Sequence, residues 1–126
     1  MFWFSHAVAL LVAVAIIVIG LMYLFIPRQA TLSFGLPLPE EGANIAWWLR
    51  LKGVRDVVAG LVVLALFAWS DARTLGIVLL IESFIALGDM TLVLAARGSA
   101  GKALGMHGGT AAVMIAAAVP MIVGLV

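Results

Sequence analysis

The stretch LRLKGVRDVVAG, residues 49–60, sets Lys52, Arg55 and Asp56 inside a run that is otherwise almost wholly apolar. A second apolar run holds Glu82 and Asp89, seven residues apart, and a third holds His107 near its start. These residue types, kept away from water, can do acid–base chemistry. A desolvated carboxyl keeps or shares a proton readily, and a positioned acid or base transfers that proton to or from a reacting group. Arginine can orient carboxylates by bidentate pairing. The candidate catalytic residues are therefore Glu82, Asp89, Asp56 and His107. Lys52, Arg55, Tyr23 and Trp47 are candidates for contacting a substrate.

What holds such groups is set by composition. Of 126 residues, 66% are hydrophobic and 10% charged, with a mean hydropathy of +1.29. Soluble domains carry about a quarter charged residues, so this chain has too little polar surface to cover a globule in water. Its solvent is expected to be largely lipid. A net charge of +1 leaves no electrostatic footprint for nucleic acid. With no cysteine there is no disulfide, thiol nucleophile or thiolate metal site, and neither a metal nor a cofactor is expected.

A membrane span needs about 20 apolar residues. Four segments qualify, at about 4–26, 44–69, 73–96 and 101–126, joined by a surface loop at 27–43 and two short breaks. The expected fold is all-α, a single antiparallel bundle of four transmembrane helices over residues 1–126. The first segment lacks the basic flank and cleavage site of a signal peptide and is taken as the first helix. Arg28, Arg97 and Lys102, with Arg50 nearby, flank the first and third connections, against Arg73 alone at the second. That asymmetry predicts cytoplasmic first and third connections. The setting expected is a multi-pass protein of a bacterial inner membrane.

Depth follows from a rise of about 1.5 Å per residue. Counted from the first-and-third-loop face, His107 lies roughly 8–9 Å deep, Asp89 roughly 10 Å and Lys52 roughly 12 Å. Arg55, Asp56 and Glu82 follow at roughly 16, 18 and 21 Å, and Tyr23 belongs to the same side. All the intramembrane charges thus converge on one half of the bundle, and the other half is almost entirely Val, Leu, Ala and Ile. Lys52, Arg55 and Asp56 share a sector of about 100°. Glu82 and Asp89 share one stripe two turns apart, and His107, Thr110, Ala111 and Met114 make another. A charge facing lipid costs about 2.5–3.5 kcal/mol on insertion scales, so these stripes are expected to face one another. Arg55 is expected to pair with Asp89 or Glu82. Glu82, deepest and furthest from the cations, is the acid expected to keep its proton.

Each feature has a plainer account. The charges can form a structural ion network, although buried pairs are often no better than apolar packing. Trp47, with Trp48, fits the interfacial aromatic belt. Gly101, Gly105 and Gly109, and likewise Gly53 and Gly60, are stripes for close helix approach, within the bundle or between copies in a homo-oligomer. No phosphate loop follows from them, since no strand precedes and no Lys-Ser/Thr ends them. The segment PRQATLSFGLPLPEEGANIA is long for a helix connection, and Phe34, Leu36 and Leu38 suggest that it lies on the membrane surface over the mouth of the polar cluster.

KGVRD on the second helix, PRQA and FGLP before it, Gly-Asp on the third and a histidine early in the fourth resemble a family of small four-helix integral membrane proteins of unknown function, loosely DoxX-like. The resemblance runs from about Pro27 and marks Lys52, Gly53, Arg55, Asp56, Asp89 and His107. It implies an architecture and supplies no reaction.

Two classes of function follow. One is a membrane enzyme acting on an apolar or lipid-like small molecule by isomerisation, cyclisation or epoxide opening, through a polar cavity open to one face. The other is a small proton- or ion-coupled carrier or channel subunit; a third, plainer option is a non-catalytic structural membrane subunit. Whether the chain is an enzyme is left open by the sequence.

Overall fold

A computed structural model of residues 1–126 contains five helices and no strand: α1 (Phe2–Phe25), α2 (Pro27–Phe34), α3 (Ile45–Trp69), α4 (Ala72–Ala95) and α5 (Ala100–Ile122). Three of them, α1, α4 and α5, are long and apolar enough to cross a membrane, which fits a multi-pass membrane protein. The expected set of four like spans is corrected here. At 25 residues α3 matches the others in length, but Arg50, Lys52, Arg55 and Asp56 crowd its first half.

The second correction is α2, which occupies the first part of the expected loop 27–43. Pro27 stands in its first turn, where a missing N–H costs nothing and the fixed φ suits a helix. Gly35 ends it at φ 105, a left-handed C-terminal position that a side chain would strain. The last helix also stops short of the expected 126, at Ile122.

Lipid gives little hydrophobic drive for helix association, so close approach through small residues must hold the bundle. On α1, Gly20 faces Gly53 of α3 so closely that a Cβ on Gly53 would lie 2.6 Å from the Gly20 carbonyl oxygen. Two turns further along, Gly60 meets Ala13 in the same way. On the other side Gly76 of α4 seats Met121 and the Ala118 carbonyl of α5. The bundle is therefore two tight pairs, α1 with α3 and α4 with α5. Their union is the buried core of the end remote from α2, where Ala9, Ala13, Val63, Leu79, Ala117 and Ala118 are 0% exposed. Towards α2 the pairs diverge.

Helix ends leave carbonyls without partners, and cations at C-termini satisfy them favourably. Arg50 Nε donates to Leu24 O of α1 (3.1 Å), Lys102 Nζ to Leu32 O of α2 (2.8 Å) and Arg73 Nε to Ile122 O of α5 (3.1 Å). Three of the seven Lys and Arg residues are thereby engaged at helix ends.

Candidate functional site

Where the pairs diverge, a cavity of about 350 Å³ opens between α1, α4 and α5, with α2 above it. Its walls are apolar, built by Leu11, Val12, Ile16 and Ile19 of α1, Ala86 of α4 and Met114 of α5. Its polar lining is concentrated beneath α2, where Tyr23, Lys52, Asp56, Asp89 and His107 meet. Glu82 stands apart, two turns and roughly 10 Å along α4 from Asp89, among the apolar walls.

Lys52 and Asp56 are one turn apart on α3, so their side chains meet. Lys52 Nζ donates to Asp56 Oδ2 at 2.5 Å, and Asp56 is 8% exposed. The ammonium also lies 4.5 Å from the ring centre of Tyr23 and 5.1 Å from that of Phe34, within cation–π range. One cation thus joins α1, α2 and α3.

His107 joins α5 to α2 and α4. Its Nε2 is 2.8 Å from Phe34 O, and a carbonyl only accepts, so Nε2 carries a proton. Nδ1 then faces Asp89 Oδ2 at 3.9 Å, beyond direct hydrogen-bond reach but within reach through one intervening polar atom. The Phe34 ring packs on the imidazole with centres 4.6 Å apart. His107 lies in a π-helical segment, Ala103–Gly108. Such wide turns are rare and recur at functional sites; here Gly105 and Gly108, poor helix formers, lower the cost of leaving α geometry.

Glu82 presents the opposite situation. Its Oε2 is buried and has no hydrogen-bond partner.

Towards the loop face the cavity is roofed by Ala30, Ser33 and Phe34 of α2, and Ser99 N–H on Gly35 O (2.8 Å) fixes the roof's far end. The exposed lining residues are Leu11, Ala15 and Ile19 on α1, Ser33 on α2, Ile85 on α4, and Met106 and Thr110 on α5. Most of the exposed lining thus belongs to α1, α4 and α5, with Ser33 the one exposed lining residue of α2.

Of the residues singled out in the sequence, Glu82, Asp89, Asp56, His107, Lys52 and Tyr23 line this one cavity. Arg55 and Trp47 do not. Arg55 is exposed and makes none of the ion pairs, which are Lys52–Asp56 and His107–Asp89; the expected pairing with Asp89 or Glu82 is absent. Trp47 is 67% exposed and carries the Arg50 guanidinium 4.9 Å above its ring, away from the cavity. Sequence reasoning missed Ala30, Ser33 and Met106 as lining residues. The amphipathic spacing of PRQATLSF was the available signal. No group of three His, Cys, Asp or Glu side chains is placed to hold a metal ion.

The model of one protein family, described as a domain of unknown function (DUF4267), matches residues 13–121, a span that contains every polar residue of the cavity. No curated protein and no solved structure matches the chain.

Proposed function

The chain belongs to the DUF4267 family, and from that premise we propose that its cavity binds an apolar or lipid-like small molecule and acts on it by acid–base chemistry. The observation that carries this reading is the joining of four titratable cavity groups, Glu82, Asp89, Asp56 and His107, to an apolar chamber whose exposed lining lies mostly on α1, α4 and α5. A ligand dissolved in the bilayer enters by the flank without crossing water, and α2 shields the chemistry from the loop face.

In this reading α3 is a fourth span. It lies along α1 through Gly53 and Gly60 and turns Lys52 and Asp56 inward, where charges in membranes are tolerated. The protein sits in a bacterial inner membrane, with Arg28, Arg50, Arg97 and Lys102 on the cytoplasmic side. The stripe of Gly101 and Gly105, both exposed, and the half-buried Gly109 is the surface on which a second copy would pack.

Glu82 serves as the acid that protonates an alkene, epoxide or carbonyl. Asp89 accepts a proton or activates water, His107 Nδ1 relays it, and Asp56, fixed by Lys52, stabilises positive charge developing below the Tyr23 ring. An isomerisation returns the proton from a second carbon, so no co-reactant is needed. The carrier alternative is disfavoured by the remote end, where fully buried alanine, valine and leucine offer no polar path.

The test uses protein in nanodiscs, in D2O, with a panel of apolar alkenes, epoxides and enolisable ketones. Catalysis predicts deuterium incorporation, isomerisation or ring opening of at least one, lost in Asp89→Asn. No conversion of any panel member above empty nanodiscs would reject acid–base catalysis.

A further inference from the structure

We propose that the ligand of this cavity is a lipophilic cation: a protonated amine, or an equivalent positive centre, on an apolar body. The inference rests on the cavity being a small-molecule site and adds the sign of the ligand.

Charge matching around the cavity is incomplete. Three carboxyl groups line it, those of Asp56, Glu82 and Asp89, against the single cation Lys52. Lys52 is matched by Asp56. The other cations near this end are occupied or turned away: Arg50 is held on Leu24 O and Lys102 on Leu32 O, and Arg28, Arg55 and Arg97 are exposed without an ion pair. Asp89 and Glu82 are therefore left with no lysine or arginine. With Glu82 keeping its proton as the acid and His107 protonated only at Nε2, Asp89 is the carboxylate that lacks a cation.

A second observation points the same way. Glu82 Oε2 is buried with no partner among the protein's own groups, in a wall otherwise made by aliphatic side chains. A buried polar atom without a hydrogen bond is costly, and a donor on the ligand removes that cost. Above, the faces of Tyr23 and Phe34 already attract the Lys52 ammonium, and such faces favour any further cation near them. An ammonium satisfies all of these; a hydroxyl supplies a donor but no charge, and a carboxylate adds a further negative group. A positive centre is also what protonation of an alkene or epoxide creates, so one electrostatic arrangement serves binding and turnover.

The experiment compares three probes of one chain length, nonylamine, nonan-1-ol and nonanoate, binding at pH 7 to the protein in nanodiscs of zwitterionic lipid, with empty nanodiscs subtracted. Nonylamine is expected to bind at least tenfold more tightly than nonan-1-ol, with nonanoate weakest. Glu82→Gln and Asp89→Asn are each expected to weaken binding of the amine more than that of the alcohol, which shrinks the amine's advantage. Equal binding of amine and alcohol overturns the cation preference and leaves the small-molecule cavity standing. Binding of none of the three overturns the cavity reading itself. An amine preference that survives in both variants places the cation outside the cavity and also overturns the proposal. Should either variant fail to fold by circular dichroism, the ranking of the three probes on the wild-type protein decides.

Discussion

His107 Nε2 donates to the carbonyl of Phe34, 73 residues earlier, at 2.8 Å, so the imidazole that faces Asp89 is also a latch on the roof of the cavity. A net hydrogen bond contributes about 0.5–1.5 kcal/mol, enough to bias an eight-residue helix that has few other ties to α5. Lys102 on Leu32 O and Ser99 N–H on Gly35 O are the remaining ones.

His107→Ala should therefore loosen α2 without unfolding the bundle. Hydrogen exchange followed by mass spectrometry is expected to show several-fold faster exchange over residues 30–35, with the α1 and α4 interiors unchanged. Identical exchange in α2 would mean that Lys102 and Ser99 alone hold the roof.

The glycines divide into two kinds with opposite expected effects. A Cβ on Gly53 would meet backbone, the Gly20 oxygen at 2.6 Å and Leu24 N at 3.0 Å, so the helices must separate to admit it. Gly53→Ala is expected to cost about 1–3 kcal/mol, as overpacking does, read as a lowered thermal midpoint. Gly105 has nothing within 4 Å, and Gly105→Ala should be neutral or stabilising by up to about 1 kcal/mol. A large loss at Gly105 would reveal a second copy packed on the α5 stripe.

Much of this arrangement was legible in the sequence, because the apolar runs fix where helices begin and end and a constant rise fixes depth. The direction in which each side chain points was less so. Asp56 follows Lys52 by roughly 40° around the helix, whereas Arg55 lies roughly 60° to the other side. A shared sector of about 100° thus straddles the boundary between cavity and lipid surface, and Arg55 falls outside it. Trp47 was ambiguous for another reason: a tryptophan at an interface serves equally as anchor and as ligand platform, and only its stacking with Arg50 separates the two. The α2 helix was hidden by Pro27, which suggests a break when read as the end of α1 and a helix start when read as the beginning of α2.

Asp71 caps α4, accepting from Thr74 N–H at 2.9 Å and from the Thr74 hydroxyl at 2.8 Å. These bonds hold its carboxyl below the ordinary 3.8. A depressed carboxyl contributes stability that is fully present above the unfolded value and is lost as pH falls through the folded one. Asparagine keeps a capping oxygen but not the charge that favours a helix N-terminus. Asp71→Asn is therefore expected to melt slightly below wild type at neutral pH, with the difference closing only below 3.8. A gap already closed at pH 5 would show that the charge contributes nothing.

The last prediction separates two carboxylates that a list of acidic residues would treat alike. Asp56 is 8% exposed and bonded to Lys52, whereas Glu82 has no ionic partner and leaves Oε2 unpaired. Removing one member of a buried pair strands the other, at about 3–5 kcal/mol. The Lys52 side chain is 33% exposed, so Asp56→Asn is expected at or below the lower end of that range. Glu82→Gln strands nothing, since the amide keeps the shape and gains donors, and it should melt within a few degrees of wild type in the same detergent. If Glu82→Gln falls as far as Asp56→Asn, Glu82 is an ionised structural partner of some group in the bundle, and it is not the acid that delivers a proton.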